Sequence, residues 1–498
     1  MALAPFFSRA YSAIGAHLGI TREELEQVLL GHIVGIHLGE SCSTGGNEKW
    51  VAELLVNLLA RLYPTLSISG SESACAKISE IARSINPDIE IINSSDRAMV
   101  VVYIGETSSN DKGFSAGASG WVAYVGRSAY DASKSGHHNP YSAGAAAALA
   151  AWRVFQTIFV KAEVQPILLP DISLSLLDYG PDSGKSEPLP SLNIGEVAVV
   201  GIGAVGNPAL WAWARHSGLS GELHLIDPDT VELSNLQRYC LPVFGDIGIS
   251  KVKLAERELR NTKLSLKFWP CLLEDFASNY TGIDTLPTIC VSVDNIEGRR
   301  ASQALLPRMV VNGWTSDNGL GASWHRFLGR SACLGCLYHP KGASLSQTEL
   351  AARALGIPHD QLALLWVSEK PLSVEEIQIV ETHLGLSSGQ LADWTGKRVQ
   401  DVYTGVVCGQ VGIDLSGIGR VATVPLAHQS VLAGILMAAE LVKRSCSVLE
   451  SRSQTEPLII WDDVMRIPPK YWTAKRAKEP ECFCTDIIYQ RIFAEKWP

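Results

Sequence analysis

The sequence has little charge and no long apolar run. Charged residues make up 19% and hydrophobic residues 46% of the 498 residues, which is typical of a packed globular chain rather than of long disordered tails. The most apolar runs, at 143–152 and 431–442, fall well short of a transmembrane helix. Residues 1–15 lack a basic head, a sustained apolar stretch and a cleavage site. We therefore expect a cytoplasmic protein without membrane contacts.

A surplus of basic residues is also missing. The net charge is -9, and nucleic-acid binding depends on clustered lysine and arginine, so nucleic acid is not an expected partner. The 11 cysteines are an odd number spread over a long chain, which does not indicate the disulfide framework of a small secreted domain. In a reducing compartment we expect these thiols to be core residues, metal ligands or nucleophiles.

Apolar periodicity indicates two sheet domains in tandem. Short apolar runs alternate with helical patterns over 31–104, and a long helix is predicted at 139–159, entered through Asn-Pro. A segment rich in Pro, Gly and Ser follows, and the pattern restarts with a strand at 196–200. Alternating strands and helices favour parallel sheets. The predicted fold class is therefore α/β, with two tandem Rossmann-like domains.

The second predicted sheet carries a glycine motif. The sequence GIGAVG follows a strand and opens a helix, the context in which Gly201, Gly203 and Gly206 let the main chain approach a phosphate. Asp227 lies about 20 residues beyond the last glycine at a strand end, a spacing that also fits the ribose-binding acid of an NAD enzyme. These two features alone leave NAD and ATP chemistry open.

Further motifs follow in a fixed order. They are IDPDTVELSNLQRYC at 226–240, then FGDIGISK ending at Lys251, then VDNIEGRR with Asp294 at the end of a predicted strand. With the glycine motif, this order closely resembles the ThiF/MoeB and ubiquitin-activating superfamily over about 193–444. The resemblance implies these nucleotide-binding residues: Gly201, Gly203, Gly206, Asp227, Asn235, Arg238, Lys251, Asp294 and Arg299.

The resemblance also implies how ATP is bound. Asp227 would bind the ribose hydroxyls, and Asn235, Arg238 and Lys251 would contact the phosphates. Cations are needed there because attack of a carboxylate on the α-phosphate builds up negative charge. The alternative for Asn235 and Arg238 is a structural one, in which they cap a helix or pair with a surface acid.

A magnesium ion completes the implied site. Asp294 would hold Mg²⁺ against the phosphates, with Arg299 supporting the site. Arg238, Lys251 and Asp294 are thus the predicted catalytic residues of the adenylation step. Members of the family often take an arginine from a partner domain, for which Arg9 is a candidate, although a surface arginine fits that position as well.

Two close pairs of cysteines indicate structural zinc. Cys333 and Cys336 stand in CLGC, and Cys482 and Cys484 stand in CFC near the C-terminus. Two pairs of soft ligands suit tetrahedral zinc without an open coordination position, and the ion would tie the tail to the second domain. Relatives in the superfamily often carry CxxC twice, so the CxC pair departs from their pattern. The alternative is two unrelated pairs of buried thiols.

Cys408 is the predicted acyl acceptor. Its surroundings, TGVVCGQVG followed by a loop, a proline and a helix, resemble the catalytic-cysteine segment of ubiquitin-like activating enzymes. Nearby glycines fit a mobile loop, and a reachable thiolate is what thioester formation requires. A core position behind the Val-Val run is the alternative. Cys240, beside the NLQR motif, is a rival nucleophile whose position indicates packing.

Together these expectations describe an activating enzyme for a ubiquitin-like protein. It would adenylate the C-terminal glycine of this partner with ATP and Mg²⁺, capture it on Cys408 as a thioester and pass it to a conjugating enzyme. The compact length suits a bacterial ubiquitination-like operon of the Bil-type antiviral defence systems. A homodimer is also possible.

The resemblance divides the chain into domains. Residues 1–165 lack the nucleotide motifs and resemble the inactive adenylation half of ubiquitin-activating enzymes. Residues 166–193 are a predicted linker, and 194–498 form the active adenylation domain with its zinc-tied tail. Within it, 340–424 is a predicted helical catalytic-cysteine insertion.

Three other functions remain open from the sequence. A sulfur-carrier adenylyltransferase of the MoeB/ThiF type shares the first chemical step and needs no thioester. An NAD-dependent oxidoreductase would use the glycine motif differently, and a pseudoenzyme scaffold would bind partners without turnover. The intact Arg238, Lys251 and Asp294 argue against the scaffold.

Overall fold

A computed structural model describes most of the chain. The described residues are 4–7, 11, 14, 18–105, 113–127, 137–159, 169–181, 187–316, 319–339, 347–403, 406, 425–453 and 456–498. Arg9 and Cys408, two residues singled out in the sequence, lie outside them. Within the described ranges, no helix combines the length and the apolar character that a membrane span requires.

The chain forms two compact units. The first comprises Met1–Phe6, Glu26–His339 and Pro425–Pro498, and the second comprises Phe7–Leu25 and Pro340–Val424. The first unit contains two β-sheets, and the second is helical.

The first sheet has seven strands. They are β1 (Val34–Leu38), β2 (Thr65–Gly70), β3 (Glu90–Ile92), β4 (Val100–Ile104), β5 (Gly113–Ser119), β6 (Val122–Gly126) and β7 (Ile172–Ser175). Their order is β3-β2-β1-β4-β5-β6-β7, parallel up to β5 and antiparallel from there on. Strand β7 lies within the range 166–193 assigned to a linker from the sequence, so part of that range belongs to the sheet.

The second sheet repeats this arrangement. Its strands are β8 (Leu192–Val200), β9 (Leu219–Ile226), β10 (Lys263–Trp269), β11 (Thr288–Val291), β12 (Met309–Thr315), β13 (Leu320–His325), β14 (Leu458–Trp461) and β15 (Thr473–Ala474). Their order is β10-β9-β8-β11-β12-β13-β14-β15, again parallel up to β12 and antiparallel beyond. The first seven positions correspond one to one with the first sheet. The predicted tandem α/β fold is confirmed.

The described residues of both units also form helices. In chain order they are α1 (Arg22–Gly31), α2 (Ser41–Thr44), α3 (Asn47–Leu59), α4 (Glu72–Ile85), α5 (Pro140–Phe159), α6 (Gly206–Ala214), α7 (Lys251–Leu259), α8 (Leu273–Asn279), α9 (Ile296–Ala304), α10 (Leu334–Leu337), α11 (Gln347–Leu355), α12 (His359–Ser368), α13 (Val374–His383), α14 (Val399–Val402), α15 (Ala427–Arg444), α16 (Ser447–Arg452) and α17 (Ile487–Lys496). Short 3₁₀ helices occupy Leu233–Gln237, Phe244–Asp246, Ile283–Thr285 and Ala392–Trp394.

Strand composition explains the sheets. All residues of β4 and β11 are buried, and both strands are rich in valine and isoleucine. Such continuous apolar runs are expected of parallel strands that helices cover on both faces. The helix predicted at 139–159 is α5, which begins at Pro140, where the fixed φ of proline suits the first turn.

Two buried helices join the sheets within the first unit. Every residue of α15 is buried, and α5 is buried along nearly its whole length. The two helices approach closely, since a Cβ added at Gly144 of α5 would lie 2.6 Å from Cδ1 of Ile435 on α15. A Cβ added at Gly434 would lie 2.1 Å from the carbonyl oxygen of Val205, in the turn after β8. Helix α15 therefore packs directly on the glycine motif.

The second unit is a small helical domain with its own core. Its buried residues include Leu355, Leu362 and Val380, contributed by α11, α12 and α13. Helix α13 begins with a capping box, in which Ser373 accepts from the main-chain N–H of Glu376 at 3.2 Å and the carboxylate accepts in return. The predicted helical insertion is thus present, and the role of Cys408 in it stays a prediction.

A buried ion network fixes the C-terminal end of α15. The carboxylate of Glu440 lies 2.6 Å from Nζ of Lys443 and accepts from Nε of Arg444 at 3.0 Å. It also accepts from the hydroxyl of Tyr179 at 2.6 Å. Lys443 donates to the carbonyl oxygen of Leu176 at 2.8 Å, just beyond β7. The network therefore links α15 to the first sheet.

Burial shapes the protonation of this network. Burial alone would raise the pKa of Glu440, but Lys443 and Arg444 outweigh it and lower the pKa to about 2. Burial lowers the pKa of Lys443 to about 8, against the attraction of Glu440. At neutral pH the carboxylate is ionised and most Lys443 side chains are protonated. Loss of the carboxylate would leave buried cations without their counter-charge.

We expect Glu440→Gln to lower the free energy of unfolding by about 3–5 kcal/mol in urea titrations, because the buried cations lose their partner. The matched control is Glu450→Gln, since this carboxylate is 3.6 Å from Arg444 but 29% exposed. Its substitution should change the free energy by less than about 1 kcal/mol.

The effect of Glu440→Gln should also depend on pH. The pKa of Glu440 is lowered in the folded chain, so its contribution is complete above the usual value of 4.5 and is lost as the pH falls towards about 2. Equal losses for Glu440→Gln and Glu450→Gln at pH 7 would contradict this account.

Candidate functional site

The glycine turn after β8 is tightly held. Gly201 has a φ of 90°, a conformation that favours glycine. The hydroxyl of Ser292 donates to the carbonyl oxygen of Gly201 at 2.6 Å. A Cβ added at Gly206 would lie 2.4 Å from that same carbonyl oxygen, so α6 begins against the turn only because the residue is glycine. A Cβ added at Gly203 would lie 3.3 Å from the hydroxyl of Tyr239.

Asp227 lies at the end of β9, beside the glycine turn. Its Oδ2 accepts from the main-chain N–H of Ile202 at 2.6 Å, and its Oδ1 accepts from the N–H of Asp229 at 3.0 Å. Burial raises the pKa of Asp227 above its usual range, while Lys251 and the two N–H groups oppose this shift. The carboxylate therefore shapes the turn, and its contact with a ribose stays a prediction.

Lys251 opens α7 and extends towards the same turn. Its Nζ lies 2.7 Å from Oδ2 of Asp229, 3.5 Å from Oδ1 of Asp227 and 5.6 Å from the ring centre of Tyr239. Burial alone would lower the pKa of Lys251, but Tyr239 and the two aspartates outweigh it and raise the pKa above its usual value. The side chain is a largely buried, fully charged cation.

Asn235 and Arg238 lie on the 3₁₀ helix after β9 and at its end. Oδ1 of Asn235 accepts from the N–H of Glu232 at 3.0 Å, which is the capping role considered as the alternative from the sequence. Nη1 of Arg238 donates to the carbonyl oxygen of Ser234 at 3.3 Å. The capping bond fixes the start of the helix and leaves the predicted phosphate contacts of both residues untested.

Tyr239 brings these side chains together, and sequence reasoning missed it. Its ring centre lies 5.3 Å from the guanidinium carbon of Arg238 and 5.6 Å from Nζ of Lys251, while its hydroxyl faces Gly203. An aromatic face attracts nearby cations and so keeps two like charges close to each other. The only sequence signal was its position directly after NLQR. Asp229, which binds Lys251, was missed as well.

Asp294 and Arg299 follow the end of β11, and they differ in burial and in contacts. Asp294 is exposed, three residues beyond the strand. Arg299 is buried and donates to Oδ1 of Asn312, to the carbonyl oxygen of Val293, and to that of Gly313 at 3.1 Å. Burial lowers its pKa. Arg299 therefore supports the main chain next to Asp294, and Asp294 keeps its carboxylate open to solvent.

These side chains share one edge of the second sheet. The glycine turn, Asp227 and Asp294 follow the carboxyl ends of β8, β9 and β11, which are neighbours in the sheet. Ligands of open parallel sheets bind at this edge. Two cations, a helix N-terminus and an exposed carboxylate form a site suited to an anion together with a divalent metal ion.

The four predicted zinc ligands meet in space. Sγ of Cys333 lies 3.8 Å from Cys336 and 3.6 Å from Cys482, and Sγ of Cys336 lies 3.4 Å from Cys484. Zn–S bonds of about 2.3 Å in a tetrahedron place the sulfur atoms about 3.8 Å apart, so the geometry fits zinc. All four thiols are buried, and the N–H of Glu479 donates to Sγ of Cys336 at 3.4 Å.

A second cluster of polar side chains was missed from the sequence. Glu196 and Glu222 face each other on β8 and β9, and Nε2 of His224 lies 3.2 Å and 3.3 Å from their carboxylates. The indole N–H of Trp269 donates to Nδ1 of His224 at 3.1 Å. Burial lowers the pKa of His224, so the ring is neutral and carries its proton on Nε2. The two carboxylates and the ring are close enough together to hold a metal ion if this proton is lost.

The remaining candidate cysteine does not suit nucleophilic chemistry. Cys240 is buried, and burial raises the pKa of its thiol to about 12, which keeps it protonated and unreactive at neutral pH. This agrees with the packing role inferred from the sequence. Cys408, the predicted acyl acceptor, lies outside the described residues, as does Arg9.

Two family models match the chain. The ThiF family model matches residues 186–460, a range that contains the glycine turn, Arg238, Lys251 and Asp294. A model described as Prokaryotic E2 family C matches residues 38–160, a range that contains β2 to β6 and α2 to α5.

Solved structures of E. coli MccB are also similar, at a low level. The structure with MccA-N7isoASN is 19% identical and covers 58% of this chain and 67% of that chain, with a TM-score of 0.34. The structure with ATP is 18% identical over the same shares, also with a TM-score of 0.34. These values support no conclusion about function.

Curated relatives give a stronger comparison. The uncharacterized protein y4jF of Sinorhizobium fredii is 36% identical over 518 residues, which cover 100% of this chain and 98% of the relative. A probable molybdopterin-synthase adenylyltransferase of Porphyra purpurea is 36% identical over 75 residues, which cover 15% of this chain and 19% of that protein. With the ThiF match over more than half of its length, the chain belongs to the ThiF family.

Proposed function

We propose that this chain uses ATP to adenylate the C-terminal carboxylate of a ubiquitin-like protein. The observation that carries the proposal is the pair of cations at the glycine turn. Arg238 and Lys251 both lie against Tyr239 where β8 and β9 end, and Asp294 stands open at the end of β11. Membership of the ThiF family supports the same chemistry.

The proposed step is a nucleotidyl transfer. An oxygen of the partner's carboxylate forms a bond to the α-phosphorus of ATP, the bond from that phosphorus to the bridging oxygen of the β-phosphate breaks, and pyrophosphate leaves. Arg238 and Lys251 offset the charge that grows on the phosphate oxygens. Lys251 is buried and Arg238 is half-buried, and electrostatic stabilisation is stronger in such a setting than in water. Asp294 would hold a magnesium ion, which would supply positive charge to neutralise part of the phosphate charge.

The proposal extends to a thioester. Cys408 would attack the acyl carbon of the adenylate, AMP would leave, and the acyl group would pass to the cysteine of a conjugating enzyme. The resemblance of 404–444 to a catalytic-cysteine segment supports this step, and so does the separate helical unit. A bacterial defence operon as the setting, and a homodimer, remain predictions from the sequence.

A second candidate is a sulfur-carrier adenylyltransferase. It is favoured by the 75-residue match to a probable molybdopterin-synthase adenylyltransferase. This function shares the adenylation step and differs afterwards, because no acyl thioester with a conjugating role is needed. The two candidates are therefore separated by the fate of the adenylate.

ATP binding tests the shared step. In calorimetry with ATP and Mg²⁺, we expect Arg238→Ala and Lys251→Met each to weaken binding at least about tenfold, because each removes a charge-assisted bond to phosphate. Asp294→Asn should abolish the benefit of Mg²⁺. The control is Arg215→Ala, which also removes an arginine stacked on an aromatic ring, 4.3 Å above Trp211, and should leave binding unchanged. Absence of Mg²⁺-dependent ATP affinity in the folded wild-type chain would refute the proposal.

Metal analysis tests the cysteine cluster. We propose that Cys333, Cys336, Cys482 and Cys484 hold one zinc ion per chain, measured by mass spectrometry of the dialysed protein. Cys482→Ser should lose the metal and lower the unfolding temperature, since the ion ties the tail to the second sheet. Cys75→Ser, at a half-exposed cysteine on α4, should retain it. Zinc below about 0.2 equivalents in freshly purified wild-type chain would rule out the site.

Trapping the acyl group separates the two candidates. With ATP, Mg²⁺ and a panel of ubiquitin-like proteins that end in glycine, we expect an adduct of the chain on non-reducing gels that a thiol reductant removes. Cys408→Ala should abolish the adduct but keep modifier-dependent pyrophosphate exchange, whereas Cys271→Ala, at another half-exposed cysteine, should keep both. Pyrophosphate exchange without any adduct in wild type would favour the sulfur-carrier function.

A further inference from the structure

Side chains of the first half of the chain bind the main chain of a segment that lies next to the candidate nucleotide site in the second half. Asn57 lies in the last turn of α3, the helix that connects β1 and β2 of the first sheet. Arg61 follows the end of that helix. Both side chains reach the segment 236–242 of the second half, which begins in the 3₁₀ helix after β9 and contains Arg238 and Tyr239.

These two side chains bind three main-chain carbonyl oxygens of the segment. Nη1 of Arg61 donates to the oxygen of Leu236 at 2.5 Å, and Nη2 donates to that of Pro242 at 3.1 Å. Nε of Arg61 donates to Oδ1 of Asn57 at 3.1 Å, and Nδ2 of Asn57 donates to the oxygen of Cys240 at 3.0 Å. The bonds bracket Arg238 and Tyr239 on both sides.

The environment makes these bonds strong. Arg61 is 1% exposed, and burial lowers its pKa only to about 10, so the guanidinium keeps its charge at neutral pH. Hydrogen bonds from a charged donor are stronger than neutral ones, and a buried carbonyl that loses its partner bears a desolvation cost. The planar fork of arginine reaches two carbonyls at once, which the single ammonium of lysine does not.

The first half supplies an arginine to the second half, but the corresponding arginine of the second half does not bind the first in the same way. Helix α6 of the second half corresponds to α3 of the first, and Arg215 follows its end. Arg215 donates to the carbonyl oxygen of Trp211 and to Glu258, at 2.9 Å and 2.6 Å, within its own half. The matching arginine thus binds partners within its own half, whereas Arg61 binds the opposite half.

We propose that Arg61 and Asn57 are positioning residues for ATP binding. They hold segment 236–242 so that Arg238 and Tyr239 face the glycine turn, and the half without nucleotide motifs thereby becomes part of the nucleotide site of the other half. The expected effect of Arg61 on ATP affinity rests on the proposed function. The holding of the segment itself can be measured without ATP.

Hydrogen–deuterium exchange measures the segment directly. In Arg61→Lys and in Asn57→Ala, we expect amide exchange in 235–242 to increase at least about tenfold, because the bonds that hold the segment are lost. The control is Arg153→Lys. Arg153 is an equally buried arginine of the first half that donates to the carbonyl oxygens of Leu169 and Pro170, and its substitution should leave exchange in 235–242 unchanged.

ATP binding measures the consequence. Arg61→Lys should weaken binding of Mg²⁺-ATP about tenfold in calorimetry, while Arg153→Lys should not. In an Arg238→Ala background the same Arg61→Lys change should cost less than about twofold, because its effect acts through Arg238. If Arg61→Lys instead disturbed the whole structure, it would weaken ATP binding by the same factor in the wild-type and in the Arg238→Ala background. Should Arg61→Lys fail to fold, Asn57→Ala carries the same test, because it removes one bond to the segment and one bond to Arg61.

The outcomes separate this inference from the proposed function. If wild type lacks affinity for ATP but exchange in 235–242 rises in Arg61→Lys, the function fails and the holding role stands. If wild type binds ATP and both Arg61→Lys and Asn57→Ala match it in affinity and in exchange, the inference is overturned. The inference would also be overturned if Arg61→Lys still weakened ATP binding about tenfold in the Arg238→Ala background.

Discussion

The packing of α15 on the glycine turn is the constraint on which the other features depend. Gly434 lets the helix backbone meet the carbonyl oxygen of Val205, and Gly144 lets α5 of the first sheet meet Ile435, the next residue of α15. The turn is therefore fixed against both sheets at once. The buried carboxylate of Glu440 then anchors the far end of the same helix. Because interiors are close-packed, a shift of this helix would disturb the turn, the sheets and the ion network together.

This rigid frame explains why the candidate site can hold two cations close together. Lys251 is fixed by the carboxylates of Asp227 and Asp229, and Arg238 by the carbonyl of Ser234. The ring of Tyr239 lies against both of them. Charges that are already oriented in a partly buried site need little rearrangement when an anion arrives, and such preorganisation stabilises developing charge.

The two halves share a strand order but contribute differently. The range matched by the Prokaryotic E2 family C model contains β2 to β6, whose places in the first sheet correspond to those of β9 to β13 in the ThiF half. Where the second sheet presents cations at its edge, the turns after β1 and β2 of the first sheet present Glu40 and Ser71, and the hydroxyl of Ser71 donates to the carboxylate of Glu40. The first half nevertheless has a structural role. It covers the apolar surface of α15, and its Arg61 binds the segment that carries Arg238.

Local sequence patterns determined the tandem α/β fold, the helix entered at Pro140 and the glycine turn, because strand alternation, helix entry and the turn depend on neighbouring residues. The spacing of Cys333 and Cys336, and of Cys482 and Cys484, likewise revealed two ligand pairs. Only the tertiary structure decided that Arg61 binds the carbonyl of Leu236, 175 positions away in the chain, and that β7 completes the first sheet. Contacts of this kind depend on how two distant surfaces meet, and a side chain that binds a carbonyl oxygen leaves no periodic trace in the sequence that it joins.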